Sequence, residues 1–291
     1  MSITQNFFNQ LGRKTSFFRL IRNYLLTLFC GFLSFIALVP LFSLVYLLIK
    51  KGLLLLHLSV FTGLPPPPGI HEGGFGNAIL GTLIMVGIAV LMAAPLGILG
   101  ALFINEYAPS SPLSGTVRFV AKLLTGIPSI ICGAFAFALV VLTTGKFSAL
   151  AGGVALSVLM LPTILLTSEQ ALKGVPSSYR DASYGLGATA FQTIWRIVLP
   201  EALPSIMMGL MLAIARAAGE TAPVLFTALF SYNWTSSLME PTASLSVLIY
   251  NFSALPYHYQ VQMAWTASLV LVVMVTGTNI LAQFFFRRKS F

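Results

Sequence analysis

The sequence predicts an all-α membrane protein of six transmembrane helices, with a cytoplasmic pair of short helices between the fourth and fifth. Three observations lead there. Of 291 residues, 57% are hydrophobic and only 8% are charged, at a mean hydropathy of +0.91. A soluble domain carries about 25% charge, so this chain could not cover a water-facing surface, and a soluble domain, a disordered tail and a secreted disulfide scaffold are excluded. The apolar residues fall into six runs, each near the roughly 20 residues that cross a hydrocarbon core of about 30 Å. Finally, the basic residues gather in alternate connections between those runs.

Taken in order, Tyr24 to Ile49 is uncharged, too long for a signal-peptide core, and followed by no small-residue cleavage pattern. The next runs are Asn77 to Ile104, Leu123 to Thr144, Phe147 to Thr167, Ala202 to Gly219 (interrupted by Arg216) and Val261 to Phe286. The segment Thr221 to Gln260 is broken by Pro223, Pro241 and Pro256 and reads as an interfacial or re-entrant excursion, with a seventh span as the alternative. The expected organisation is a tail over 1–23, a six-span domain over 24–286 that includes the loop 169–201, and a basic tail over 287–291. Orientation follows from Lys and Arg near the span ends. Arg13, Lys14, Arg19, Arg22, Arg118, Lys122, Lys173, Arg180, Arg196, Arg287, Arg288 and Lys289 lie on one side, against Lys50, Lys51 and Lys146 on the other. Twelve against three places both termini in the cytoplasm.

Prolines occur at depth in the runs, at Pro40, Pro95, Pro128 and Pro162. Each removes a helical hydrogen bond and tends to kink the helix, as in a bundle lining a path that opens and closes, although proline is also simply common in such helices. Ala93, Gly97 and Ala101 form a ridge of small residues suited to close helix contact. Pro65 to Pro68 would stiffen the first outer connection. The net charge of +9 forms no patch with interleaved aromatics, so nucleic acid is not an expected partner. Cys30 and Cys132 suggest neither a disulfide framework nor a zinc site, and His57, His71 and His258 show no ligand spacing.

The loop 169–201 is long for a connection and carries helix signals of its own. Ser178-Tyr179-Arg180-Asp181 and Thr189-Ala190-Phe191-Gln192 each fit a capping box. Gly185-Leu186-Gly187 separates them, and Leu199-Pro200 reads as the stop of the second helix. Self-packing on the span ends would explain such a pair, as would docking of a partner. Within it lies Asp181-Ala182-Ser183, three residues, Gly187, nine residues, Ile197, one residue, Leu199-Pro200. This resembles the E-A-A-x3-G-x9-I-x-L-P motif of type I ABC-importer permeases in spacing throughout, with Asp for Glu at the first position and Ser for Ala at the third. The resemblance implies that Asp181, Ala182, Ser183, Gly187, Ile197, Leu199 and Pro200 belong to coupling helices seated on an ATP-hydrolysing partner. The chain has no phosphate loop of its own, since Gly145-Lys146 is followed by Phe147 and lacks the upstream glycine. ATP and magnesium would therefore be bound by that partner, with no cofactor in this chain, which would be a transport permease and not an enzyme.

Beyond the motif lies Ala215-Arg216-Ala217-Ala218-Gly219-Glu220-Thr221-Ala222-Pro223. From Pro200, sixteen residues at about 1.5 Å each place Arg216 about 24 Å up a straight helix. An arginine at a helix centre costs about 2.5–3.5 kcal/mol on insertion scales, and less near an interface. Glu220 at i+4 is a natural partner. Two readings stand. In one, the two form a structural pair near the outer interface. In the other, Arg216, Glu220 and Thr221 line the path of an anion, for which the planar guanidinium suits phosphate-like oxygens.

The stretch from Ala215 to Thr227 resembles the PstA-type permeases of the bacterial phosphate ABC importer. So do Gly81-Thr82, Ala94-Pro95-Leu96-Gly97, Asn105-Glu106-Tyr107-Ala108, Gly126-Ile127-Pro128-Ser129-Ile130, and 241–250 with Ala264-Trp265 and Asn279. The similarity runs over residues 75–285. It implies inner-membrane phosphate import by alternating access. The implied partners are a PstC-like sister permease, a PstB-like ATPase dimer and a PstS-like periplasmic binding protein. The Thr-Ala-Pro continuation and short N-terminus favour the PstA type over the sister. The coupling loop alone leaves another oxyanion, such as molybdate or sulfate, open. An intramembrane enzyme would need a catalytic constellation that the spans lack apart from Glu220. A secondary carrier or channel would work without an ATPase, and no internal repeat supports it.

Overall fold

A computed structural model describes residues 17–286. The basic residues Arg13, Lys14, Arg287, Arg288 and Lys289 lie outside the described residues, as does most of both expected tails. The chain falls into two compact units, 1–50 and 51–291, and each is taken by itself.

In the first unit, α1 (Phe17–Gly52) is one apolar helix running past Pro40 into the start of the second. The second unit then follows as α2 (Leu58–Thr62), α3 (Gly76–Leu102), α4 (Pro112–Gly126), α5 (Ser129–Ala136), α6 (Leu142–Thr144), α7 (Ala149–Lys173), α8 (Ser177–Gly185), α9 (Ala190–Thr193), α10 (Leu199–Gly219), α11 (Ala222–Thr227), α12 (Leu245–Ser253) and α13 (His258–Phe286). Single π-turns at Phe103–Tyr107, Phe137–Val141 and Ile194–Val198 extend α3, join α5 to α6 and join α9 to α10. Five described helices are long and apolar enough to cross a membrane, and counting one bent pair as a span brings the number to the expected six.

That bent pair corrects the third run. Leu123 to Thr144 is apolar throughout, yet its first residues belong to α4, which meets the helix Ser129–Thr144 at 106°. The cause is Pro128. The residue before a proline is driven out of the helical region, and Ile127 is accordingly extended at φ −73°, ψ 135°. Pro128 is therefore a corner between two helices, not a kink inside one, while Pro95 and Pro162 do sit inside helices.

The core is built on α3 against α7. Ala89, Ala93 and Ala94 meet Leu156, Met160 and Ile164, joined by Leu210, Ala213 and Ala217 of α10. The small-residue ridge is what lets the backbones approach. A Cβ on Gly97 would sit 2.8 Å from Cγ2 of Ile164, inside van der Waals contact. A second core, Val60, Phe75, Ala78, Leu245, Leu248, Phe252, Met263 and Ala267, gathers α12 and α13 onto the start of α3.

Before α13 begins at His258, the segment 221–260 contains the six-residue α11 and the nine-residue α12, neither long enough to cross. Its irregular backbone is satisfied from the ends of the spans, as a buried polar backbone must be. The free N–H groups of Ser148, Ala149 and Leu150 donate to the carbonyls of Thr227, Glu240 and Leu238 at 3.0, 3.2 and 3.0 Å. Asn77 Nδ2 donates to Ser231 O and Asn233 O at 2.9 and 3.1 Å, and Thr82 Oγ1 accepts from the amide of Leu245 at 2.9 Å.

Candidate functional site

At one end of the bundle the coupling segment forms as expected in outline and differently in detail. Thr189 and Gln192 make the reciprocal capping box. The other proposed box does not form. The helix α8 begins at Ser177 after Pro176, whose preset backbone opens the helix without a side-chain cap. Gly187 has φ +80° and ends the turn between the two helices, where a side chain would be strained. Pro200 does not stop the second helix. Ala190 to Gly219 is one continuous helix of 30 residues. The π-turn Ile194–Val198 explains the passage. Proline has no N–H for the carbonyl four residues back and its ring crowds that carbonyl, and the wider turn lies at that position, around Arg196. The second short helix of the 169–201 segment is thus the first turns of the fifth span.

The motif residues divide by side. Asp181, Ala182, Gly187 and Pro200 are exposed, and Ser183 is buried. Ser183 Oγ lies 2.8 Å from Oγ1 of Thr193, stitching α8 to α9. The departure from alanine at that position therefore supplies an internal hydrogen bond. Ile197 and Leu199 are half-buried, and Leu199 packs against a cluster made by Ala101, Leu172, Val175, Ile194, Val198 and Ile206. Tyr179, Tyr184, Phe191, Trp195 and above all Leu186, 90% exposed, leave an apolar outer surface on the pair.

Sequence reading treated the nearby charges only as markers of orientation, and the structure makes them an ion network. Arg118 Nε donates to Glu169 Oε1 at 2.6 Å, and Lys173 Nζ lies 2.6 Å from the same oxygen. Arg180 Nη2 and Nε donate to Glu106 Oε1 and Oε2 at 2.7 and 3.2 Å. Glu169 is buried and Glu106 is half-buried, with side chains 3% and 9% exposed. The available signal was scarcity: two of only seven acidic residues lie beside basic span ends.

At the other end of α10, Arg216 and Glu220 do form the expected pair, Nε to Oε1 at 3.3 Å. Glu220 is not in the helix, however. It follows Gly219 as an extended residue, and its carbonyl accepts from Ser246 Oγ at 2.9 Å. Thr221 follows directly, and its carbonyl accepts from the amide of Leu225 at 2.9 Å. The Arg216 side chain is 48% exposed and Glu220 18%. One long contact between partly solvated groups contributes about 0.2–1 kcal/mol, so it is easily displaced. The helix C-terminus also favours a cation here. Nearer the coupling end, a cleft of about 580 Å³ opens between α7 and α10, with Thr167, Gln170, Glu201 and Ser205 among its lining.

Among the described residues no group of three or more His, Cys, Asp or Glu is placed to hold a metal ion. Cys30 is exposed and Cys132 buried, both free.

Residues 93–291 match the profile of the family described as "Binding-protein-dependent transport system inner membrane component". The chain is 38% identical over 253 residues to the phosphate transport system permease protein PstA of Yersinia pestis, covering 86% of each. It is 33% identical over 260 residues to a probable PstA of Methanocaldococcus jannaschii, covering 88% of this chain and 90% of that protein. In fold it is similar to a chain of a bacterial alginate ABC transporter (TM-score 0.64, 19% identity, 92% of this chain and 95% of that one). A chain of the MetNI methionine ABC transporter in an inward-facing conformation is also similar (TM-score 0.57, 20% identity, 73% of this chain and 92% of that one).

Proposed function

The chain belongs to the binding-protein-dependent transport permeases, and within them to the PstA family, and from that premise we infer that it is the permease subunit of an ATP-driven importer of inorganic phosphate. It is a multi-pass protein of the inner membrane, and the ATPase is a separate subunit. The observation that carries this is identity above 30% to PstA proteins over most of both chains. The presence of the coupling segment, with an exposed apolar outer surface, supports an ATPase docking there.

The finer assignments rest on the family resemblance and, for the anion path, on the chemistry of the residues. The partners would be a PstC-like permease completing the path, a PstB-like ATPase dimer under Asp181, Ala182, Ser183, Gly187, Ile197, Leu199 and Pro200, and a PstS-like binding protein delivering phosphate from the periplasm. The permease domain would span 24–286, with both termini in the cytoplasm. Arg216, Glu220 and Thr221 would meet the anion. A half-exposed guanidinium held by a weak, displaceable carboxylate offers a transient site, from which release is fast. ATP binding would favour the outward-facing state and hydrolysis the inward-facing one.

The test is uptake by the four-component complex reconstituted in vesicles, with phosphate, sulfate and molybdate in competition. ATP-dependent phosphate uptake that excess sulfate and molybdate leave intact is expected. Sustained uptake without the ATPase, or preference for another oxyanion, would overturn the reading.

A further inference from the structure

We propose that the Arg180–Glu106 ion pair is the positioning contact that makes the coupling helix move as one body with the second and fourth spans. The inference rests on the functional reading above and adds to it a route for force.

The helix α8 has two faces. The outer one carries Ser178, Asp181 and Ala182, all exposed, with the exposed Tyr179 and Tyr184 at its margins and Leu186 just beyond. Arg180 and Ser183, three residues apart and so on one side of the helix, face the spans. Ser183 ties α8 to Thr193 at the start of the fifth span. Arg180 does more. Its guanidinium grips both oxygens of Glu106, in the π-turn that ends the second span. The same group donates to Leu172 O at 3.1 Å and Val175 O at 2.8 Å, at the end of the fourth. Leu172 lies in the last turn of that span and Val175 just past its end, and a cation there is favoured by the helix dipole.

Arg118 repeats the arrangement one element away. It donates to Glu169 on the fourth span, to Ile104 O at 2.6 Å at the end of the second, and to Pro109 O at 3.3 Å. Two forks therefore bind the ends of the same two spans, one from α4 and one from the coupling helix. Each uses a largely covered carboxylate plus backbone carbonyls at or just beyond the span ends.

Geometry separates this contact from the Arg216–Glu220 pair. Arg216–Glu220 is a single 3.3 Å contact with its arginine half exposed. Arg180–Glu106 is two-pronged, reaches 2.7 Å, and its side chains are only 20% and 9% exposed. Charge-assisted, two-pronged pairs of this kind fix orientation as well as distance. The coupling helix is otherwise held by its chain connections, the Ser183 hydrogen bond and its packing. Loosening the fork would let it shift under the ATPase without carrying the span ends along.

The experiment measures phosphate moved per ATP hydrolysed by the reconstituted four-component complex. Its variants are Glu106→Gln, which keeps shape and removes charge, and Arg180→Lys, which keeps charge and removes the fork. Both are expected to retain the ATPase and its hydrolysis while transport per ATP falls about tenfold, within the usual range of coupling between sites. The double variant should be no worse than the poorer single one, because both remove the same contact. An unchanged ratio would overturn the proposal. So would loss of ATPase binding in both variants, since the pair would then be a folding or docking contact. A wild-type complex that moves no phosphate would overturn the functional reading and this inference with it.

Discussion

Arg216 is one of sixteen basic residues, and the only one in the interior of an expected span. Its pairing with Glu220 is too weak to account for its placement in an apolar helix. A cation near the end of α10 is eased by the helix dipole by about 0.3–1 kcal/mol, so stability alone makes a modest demand on it. If the charge serves the anion, Arg216→Gln should leave the folded, assembled complex intact but reduce phosphate uptake by an order of magnitude or more. Arg216→Lys should recover part, since a point charge lacks the planar fork. Uptake by proteoliposomes, with complex recovery as control, decides it. Normal uptake and normal phosphate-stimulated hydrolysis in the Gln variant would return Arg216 to a structural role. The other residue-scale lesson is Ser183. As a departure from the family motif it looks like drift, yet its hydroxyl joins α8 to α9. Only the position of Thr193 makes that visible.

At the scale of elements, proline explains both where helices end and where they do not. Pro128 turns the chain through 106° because Ile127 cannot stay helical. Pro200 is passed because a π-turn lies around the carbonyl it would crowd. An apolar run looks the same in both cases, so the third span and the end of the coupling segment were misplaced by sequence reading. The ridge of small residues was legible, since spacing alone brings Ala93, Gly97 and Ala101 to one face. Gly97→Val should force α3 off α7, at about 1–3 kcal/mol of overpacking, read as a lower melting temperature of the purified complex. An unchanged melting temperature would mean that the contact between α3 and α7 yields. Gly187→Ala places a side chain at φ +80°, a strain of about 1–2 kcal/mol. It should weaken retention of the ATPase during purification without altering the spans. Full retention at normal yield would show that the turn does not set the docking geometry.

For the whole molecule, the alternation of basic residues predicts which end faces which compartment. The structure gathers Arg118, Lys173 and Arg180 with Glu106 and Glu169 at one end. In intact cells, a membrane-impermeant maleimide should label Lys146→Cys from outside and Tyr184→Cys only after permeabilisation. The reverse pattern would invert the topology. Composition, the apolar runs and the spacing of the 181–200 motif are readable from the sequence because each is a local property, and the expected orientation rests on the same kind of signal. A run of apolar residues meets lipid wherever it packs, and a lysine beside a span end biases insertion before any tertiary contact exists. The pairing of Glu106 with Arg180, 74 residues apart, and of Glu169 with Arg118, 51 apart, was not readable, nor was the seating of the excursion on the open N–H groups of α7. Those depend on which helix ends meet. Sequence by itself determined that the chain crosses the membrane and where its basic connections lie. The tertiary structure decided how its few acids are used, because a buried carboxylate must find a partner and only the packed bundle says which is in reach.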